Sequence, residues 1–342
     1  MAFGALRIAW VIYGELEQVS GGYIYDRLVV DELRALGDSV TIISLTPGAP
    51  ALPALRAEDF DAVIGDELCF RDLARLFRGD FRGLRRVLLI HHLSGWEEPP
   101  GAERASVLAL EKDAIDSADA CVATSHVTAD RLYSEGLARR AHVAEPGADR
   151  LPRPETGGQE PSGARLRLLF IGNILRRKRV LELCEAFSRL AAPNVELALV
   201  GAEPEPDYAA LVRELVARAE VSERVQFLGS LTAAAVAEQL VLADALVLPS
   251  ALEGYGMVLS EALWAAVPVI AARVGAAERL VGATDAGMLY DPDDAGGLGA
   301  TLGAFVGDAA LRRRLRLAAW QAAETLPRWR DTALAVRATL LK

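Results

Sequence analysis

The chain alternates short, unbroken apolar runs with longer segments of helical periodicity. The runs "LRIAWVIY", "SVTIISL", "DAVIGD", "RRVLLIHH" and "DACVATS" each have the length of a buried strand, and helical patterns such as "IYDRLVVDELRALG" separate them. Unbroken apolar strands that alternate with helices predict a parallel sheet covered on both faces. The first half is therefore predicted to be a doubly wound α/β domain. Its first run contains Arg7 and predicts a strand rather than a signal peptide.

The same alternation begins again after a segment rich in proline and glycine, residues 146–163. The runs "LRLLFIG", "VELALVG", "VQFLG", "ALVLPS" and "PVIAA" then predict a second doubly wound domain. We predict one domain over residues 1–150 and another over residues 151–326, with a helix at 327–342 that packs back on the first. Ligands of open α/β sheets bind at the carboxyl ends of the strands, so we expect the ligand in a cleft that the two domains face.

The composition excludes some partners. The chain has 37 Lys and Arg against 47 Asp and Glu, a net charge of -10, whereas nucleic-acid binding requires a clustered positive surface. The three cysteines are widely spaced and predict reduced thiols in a cytoplasmic protein. No apolar run reaches the length of a transmembrane helix.

Two glutamates flank a glycine turn in "ALEGYGMVLSEALW". Glu253 follows the buried run "ALVLPS", and Glu261 lies about one turn inside the next helix. Gly254 and Gly256 let backbone N–H groups approach a ligand, and a helix N-terminus favours anions. A carboxylate at Glu261 can bind a vicinal diol with both oxygens. The alternative is a capping glutamate and a solvated one.

Two further loops have the composition of phosphate-binding loops. In "FIGNILRRKRVLEL" a strand ends in glycine, and a basic loop with Lys178 leads into a helix. In "QVSGGYIYDRL" the pair Gly21 and Gly22 lies between the first strand and the first helix. Each signal alone is weak, because basic loops are usually solvated and Gly-Gly is often an ordinary turn.

Together these stretches resemble glycosyltransferase family 4, the retaining nucleotide-sugar transferases of the GT-B fold. The matching stretches, which span almost the whole chain in order, are "SGGYIYDRLVVDELRALG", "IHHL", "EPGAD", "FIGNILRRKRVLELCEAFSRL", "RVQFLGSL" and "ADALVLPSALEGYGMVLSEALWAAVPVIAARVGAAERLV". The resemblance implies a GT-B architecture of two Rossmann-like domains that face a central cleft. The first would bind the acceptor and the second the nucleotide-sugar donor.

The resemblance also implies a role for each matching residue. Glu261 would hydrogen-bond the ribose, Lys178 would bind the diphosphate, and Gly22 would approach it from the first domain. Glu253 would contact a donor-sugar hydroxyl, with backbone amides from Gly254, Tyr255 and Gly256. The family usually has an arginine where this chain has Asn173, and that arginine and the lysine together bind the diphosphate. In this chain the asparagine therefore replaces one of the two cations. Arg176 and Arg177 are the alternatives for compensating it.

His91 and His92 end the run "RRVLLIHH". The family commonly has a histidine here, near the donor sugar and the acceptor, and His91 fits that position better. The alternative is a hydrogen-bonded residue at the strand end. We expect His91 to position or polarise the substrates, because retaining transfer lets the leaving phosphate accept the acceptor's proton.

No metal or other cofactor is expected. "DPDD", residues 291–294, has the letters of a metal-binding motif but lies after the last strand, far from the predicted phosphates. The basic segment 70–86 predicts a helix with its apolar face on the sheet and its arginines in solvent. Docking on an anionic membrane is the alternative.

The prediction is therefore a metal-independent, hexosyltransferase-type enzyme. It would move a sugar from a UDP- or GDP-sugar to a small-molecule or glycan acceptor in solution, with retention at the anomeric carbon. A non-catalytic, nucleotide-sugar-binding scaffold of the same fold is the rival hypothesis, and Asn173 is its motivation.

Overall fold

The computed structural model describes residues 4–18, 20–48, 56–155 and 165–341. It divides into two compact units, one of residues 1–147 with 327–342, the other of residues 148–326. The sequence analysis placed this boundary at residue 150. Residues 156–163 of the predicted linker lie outside the described residues.

Unit 1 is a parallel sheet with helices between its strands. Its elements are β1 (Arg7–Tyr13), α1 (Gly21–Ala35), β2 (Ser39–Leu45), β3 (Ala62–Asp66), α2 (Phe70–Arg78), β4 (Arg85–Ile90), α3 (Ala102–Ser117), β5 (Ala120–Ala123), α4 (His126–Ser134), β6 (Ala141–Val143) and, as the last helix of the chain, α11 (Trp329–Leu340). The strand order is β2-β1-β3-β4-β5-β6, and all neighbouring strands are parallel.

Unit 2 repeats this architecture. Its elements are β7 (Leu166–Ile171), α5 (Val180–Ser188), β8 (Val195–Val200), α6 (Pro206–Arg218), β9 (Val225–Gly229), α7 (Ala233–Leu242), β10 (Ala245–Leu248), α8 (Met257–Trp264), β11 (Val269–Ala272), β12 (Gly287–Tyr290), α9 (Gly297–Gly307) and α10 (Ala309–Ala322). The parallel strands have the order β12-β11-β10-β7-β8-β9. The prediction of two doubly wound α/β domains is confirmed.

The last helix belongs to unit 1 because of its apolar stripe. Trp329, Ala333, Val336 and Leu340 are buried at helical spacing, and α11 packs against α1. The Arg337 guanidinium adds an ion pair, with its Nε 2.7 Å from Oδ2 of Asp38.

Two predicted boundaries differ from the structure. Helix α1 begins at Gly21, so the glycine pair forms the first helical turn rather than the loop before it. Strand β4 ends at Ile90, so both histidines lie in the loop that follows. β6 has three residues, too few for its apolar run to be recognised in the sequence.

The predicted helix of the basic segment 70–86 is shorter than expected: α2 ends at Arg78, and Arg85 and Arg86 begin β4. Phe70, Phe77 and Phe81 are buried in unit 1. Arg78 pairs with Asp113, and Arg86 pairs with Asp119. Because the phenylalanines are covered, they offer no apolar face to a membrane surface. In the described part of the chain, no helix has both the length and the hydropathy to cross a membrane.

Candidate active site

Residues of the candidate site meet at the point where unit 2 reverses its strand order. From β7 the sheet continues to β8 and β9 on one side and to β10 on the other. The carboxyl ends of β7 and β10 therefore form a topological switch point, where ligands of open α/β sheets bind. The loop after β7 carries Lys178, and the loop after β10 carries Glu253. Because β7 and β10 are neighbours in the sheet, the two loops bring together residues that are 75 positions apart in the sequence.

Lys178 and Glu253 form a direct ion pair, in which Nζ donates to Oε1. Their side chains are only 13% and 9% exposed. Burial raises the pKa of Glu253, but the positive charges of Lys178 and Arg177 outweigh it and hold the pKa below its ordinary value. The carboxylate is therefore ionised at neutral pH. An ammonium group has three donors and Nζ of Lys178 makes one hydrogen bond to the described residues, which leaves two donors for a ligand.

The loop after β10 leads into α8 through a glycine with left-handed backbone. Gly256 has φ 84°, a conformation that favours glycine, and it is the residue before the helix. The first amides of α8 have no partner within the helix and give its start a partial positive charge. Tyr255 is 4% exposed and packs in the core of unit 2, so only its backbone can serve a ligand.

Of the two candidates for compensating Asn173, Arg177 lies nearer to Glu253. Its backbone carbonyl accepts a hydrogen bond from the Ala251 amide at 2.7 Å, and its charge lowers the pKa of Glu253. The Arg176 side chain lies elsewhere: its guanidinium carbon is 5.3 Å from the Tyr208 ring centroid, and the side chain is 65% exposed.

Asn173 has a structural contact of its own. Its Oδ1 accepts a hydrogen bond from the Ala202 amide at 3.2 Å, which links the loop after β7 to the loop after β8. Close by, an alanine Cβ at Gly201 would lie 2.0 Å from the Gly172 carbonyl oxygen. The two loops are therefore in close backbone contact.

Glu261 is buried inside α8. It is 4% exposed, and its Oε1 accepts a hydrogen bond from Nε of Arg150 at 2.7 Å. Among the described residues, its Oε2 has no hydrogen-bond partner in the protein. With an arginine on one carboxylate oxygen and the other oxygen available, Glu261 is better suited to binding a polar ligand than to the capping role that the sequence left open.

In unit 1, His91 lies against two buried aspartates. Its Nε2 is 3.2 Å from Oδ1 of Asp26 in α1 and 3.7 Å from Oδ2 of Asp66 at the end of β3. Its backbone amide donates to Oε2 of Glu67 at 3.0 Å. An alanine Cβ at Gly22 would approach the imidazole within 3.3 Å, so this glycine packs directly on His91.

The carboxylates around His91 determine its charge. Burial lowers the pKa of His91, but the charges of Glu67, Asp26 and Asp66 outweigh it and raise the pKa well above its ordinary value. Burial and the charge of Asp66 raise the pKa of Asp26 to about 7. A raised pKa disfavours a general-base role for His91. His92 lies elsewhere, with its Nε2 2.6 Å from Oε1 of Glu97.

The sequence analysis did not identify Asp26, Asp66 or Arg150. Asp66 ends a predicted strand at the ligand-binding edge, a signal that could have been used. Asp26 lies in a helix and Arg150 in an irregular segment, so neither has a local signal.

One group within the described residues has the geometry for a metal ion. Asp26, Asp66 and His91 each offer one ligand atom, and these atoms lie within 4.8 Å of one another. A metal ion would have to displace the proton of His91, because only the neutral imidazole is a ligand. The absence of a metal requirement stays a prediction.

"DPDD" has local contacts. Oδ1 of Asp291 accepts the Asp293 amide, and Oδ1 of Asp294 accepts the Gly296 amide, both at 2.9 Å. These contacts are typical of turns in which aspartate binds the backbone two residues ahead. The segment follows β12, at one edge of the sheet, whereas Lys178 follows a central strand.

Comparisons with known proteins agree with this architecture. The sucrose-phosphate synthase from Thermosynechococcus elongatus has a TM-score of 0.81 at 20% identity and covers 97% of this chain and 98% of its own. Anabaena HepE in complex with UDP and glucose has a TM-score of 0.79 at 17% identity, over 98% of this chain and 99% of its own. At these identities the likeness shows the fold, which is GT-B.

Sequence comparison finds a family match in the second half of the chain. Residues 158–321 match the family described as glycosyl transferases group 1. The N-acetyl-alpha-D-glucosaminyl L-malate synthase of Bacillus anthracis is 32% identical over 149 residues, 43% of this chain and 38% of that protein. The chain spans about half the length, or less, of the curated relatives it matches. This match lies within unit 2, and the chain has the GT-B fold of the solved structures named above.

Proposed function

We propose that this protein is a retaining glycosyltransferase that moves a hexose from a UDP- or GDP-sugar to an acceptor. The observation that carries the proposal is the buried ion pair of Lys178 and Glu253 at the switch point of unit 2, close in sequence to the start of α8. A cation, a carboxylate and backbone amides at the start of a helix are groups that suit a sugar diphosphate.

Each group has a role in this proposal. Lys178 and the amides of Gly254, Tyr255 and Gly256 bind the diphosphate and stabilise the charge that develops on it as the bond to the sugar breaks. Glu253, kept ionised by its neighbours, accepts a hydrogen bond from a donor-sugar hydroxyl. Glu261 accepts hydrogen bonds from the ribose. Asn173 holds the loop that carries Lys178, and Arg177 supplies the second positive charge.

Unit 1 is proposed to bind the acceptor, a small molecule or glycan in solution. The contacts of Gly22 and His91 with the substrates stay predictions. The high pKa of His91 favours the positioning role over that of a general base, as retaining transfer allows.

The names of similar proteins support the donor class without fixing the sugar. HepE is in complex with UDP and glucose, and the Bacillus anthracis relative is named N-acetyl-alpha-D-glucosaminyl L-malate synthase. The three cysteines are buried and free, which supports a reducing compartment, and we propose the cytoplasm. The net charge of -10 disfavours nucleic acid as a partner.

The rival proposal is a nucleotide-sugar-binding protein without catalysis. Its motivation is Asn173, which replaces a charged group by a side chain that binds the Ala202 amide. Both proposals predict donor binding, and they differ in turnover.

Donor hydrolysis without acceptor separates them. We expect the protein, incubated with UDP-glucose, UDP-N-acetylglucosamine or GDP-mannose, to release free nucleoside diphosphate slowly from at least one donor. A coupled nucleotide assay measures the release, with Glu253→Gln as the control for contaminating hydrolases. Saturable binding without release from any donor would favour the non-catalytic protein.

The same assay tests metal independence. We expect the rate in excess EDTA to equal the rate in magnesium, because Lys178 and helix amides supply the positive charge at the diphosphate. Complete loss in EDTA, with recovery on adding magnesium or manganese, would contradict this. It would direct attention to Asp26, Asp66 and His91, the group whose geometry suits a metal.

A further inference from the structure

Arg150 lies in a segment that is attached to α8. The carbonyl of Leu151 accepts a hydrogen bond from Nε1 of Trp264, the last residue of α8, at 2.9 Å. Ala148 packs in the same buried cluster as Trp264. The residues on either side of Arg150 are thus fixed on the helix that carries Glu261, and the guanidinium is preorganised against it.

The contact between Arg150 and Glu261 is buried and directional. Nε of Arg150 donates to Oε1 at 2.7 Å, and the two side chains are 12% and 5% exposed. Removing one partner of a buried ion pair is costly, so Arg150 and Glu261 hold each other in place at this depth. Because the donor is one planar N–H, it also restricts the rotation of the carboxylate.

A ribose diol needs a carboxylate held in one orientation. An ionised carboxylate has about four lone-pair sites on two oxygens, and Arg150 occupies one of them. Oε2 has no partner among the described residues, so it is available to a ligand hydroxyl.

We propose that Arg150 is the positioning residue for ribose recognition: it orients Glu261, so selection of a nucleotide with free 2′- and 3′-hydroxyls depends on it. The inference rests on the proposed role of Glu261 in donor binding. Arg150 need not touch the nucleotide, and its effect is confined to the ribose hydroxyls.

The test is a thermodynamic cycle in which one change is made in the protein and the other in the nucleotide. UDP or GDP, whichever binds the wild-type protein more tightly, is titrated by calorimetry beside its 2′,3′-dideoxy analogue. For wild type we expect about a 10-fold or larger preference for the ribonucleotide, as for hydrogen bonds to a charged group. In Arg150→Met this preference should fall to about twofold or less, while affinity for the dideoxy analogue changes little.

A neighbouring arginine supplies the matched control. Arg153 lies over the Trp264 ring at 5.3 Å and pairs with Glu324, so it shares the surroundings of Arg150 without the contact to Glu261. Arg153→Met should keep the ribonucleotide preference. Equal loss in both variants would show a general effect on packing and overturn the proposal.

The remaining outcomes separate the inference from the function it rests on. A wild-type protein that binds both nucleotides equally would refute the ribose role of Glu261, and the inference with it. A wild-type preference that Arg150→Met retains would refute the inference alone. If Arg150→Met does not fold, Arg150→Lys keeps the charge but not the planar donor. An unchanged preference in Arg150→Lys would overturn the proposal.

Discussion

Replacing Lys178 by alanine should lower kcat by about 100-fold or more, and should raise the KM for the donor by a smaller factor. The Lys178 side chain is only 13% exposed, so solvent screens its charge little. Negative charge accumulates on the diphosphate as the bond to the sugar breaks, so the contact is stronger in the transition state than in the bound substrate. Steady-state kinetics with a saturating donor measure the effect.

Two controls separate this effect from its alternatives. Lys178→Ala leaves Glu253 buried without its nearest cation, a destabilising change, so the kinetics are compared at a temperature where circular dichroism shows both proteins folded. Arg176→Ala removes a cation of the same loop that is 65% exposed. It should leave kcat within about threefold, since exposed charges contribute little. Wild-type turnover in Lys178→Ala would show that the catalytic site lies elsewhere.

Gly201→Ala should lower the free energy of unfolding by about 2–4 kcal/mol. The added Cβ would lie 2.0 Å from the carbonyl oxygen of Gly172 and 3.0 Å from the Asn173 amide nitrogen. Both contacts are with backbone, so no side-chain rotation relieves them. Gly201 also has φ 150°, a conformation that alanine rarely adopts. Urea unfolding measures the change.

The variant Gly229→Ala is the matched control for this prediction. Gly229 ends the next strand of the sheet and has φ 64°, but a Cβ there meets nothing within 4 Å. Gly229→Ala should lower the free energy of unfolding by about 1–2 kcal/mol, which is the strain of a left-handed alanine alone. Equal costs for both variants would contradict the close approach of the two loops. Because Gly201 supports the loop of Lys178, its variant should also weaken donor binding.

The sequence predicted those features that follow from local patterns. Unbroken apolar runs define the strands, and two rounds of alternation define two sheets. Lys178 and Glu253 could be placed at strand ends but not paired, because their contact depends on the order of β7 and β10 in the sheet. That order is a tertiary property. The resemblance to the family implied a role for each residue at the donor, but it did not predict their ion pair.

The contacts that the sequence did not predict join distant residues. Arg150 and Glu261 are 111 positions apart, and the partners of His91 lie on α1 and β3. A single arginine in an irregular segment has no periodicity, so only the packing of its neighbours on Trp264 shows its role. The charge of His91 likewise depends on burial and on three carboxylates that come together only in the fold.

The central claim is that the switch point of unit 2 binds a nucleoside diphosphate sugar. A crystal structure of the protein with UDP-glucose, or with the donor from which it releases nucleotide, tests this most directly. We predict the diphosphate within hydrogen-bond distance of Lys178 Nζ and the amides at the start of α8, with the ribose hydroxyls on the Glu261 carboxylate. A nucleotide bound away from Lys178, with its ribose out of reach of Glu261, would contradict the account.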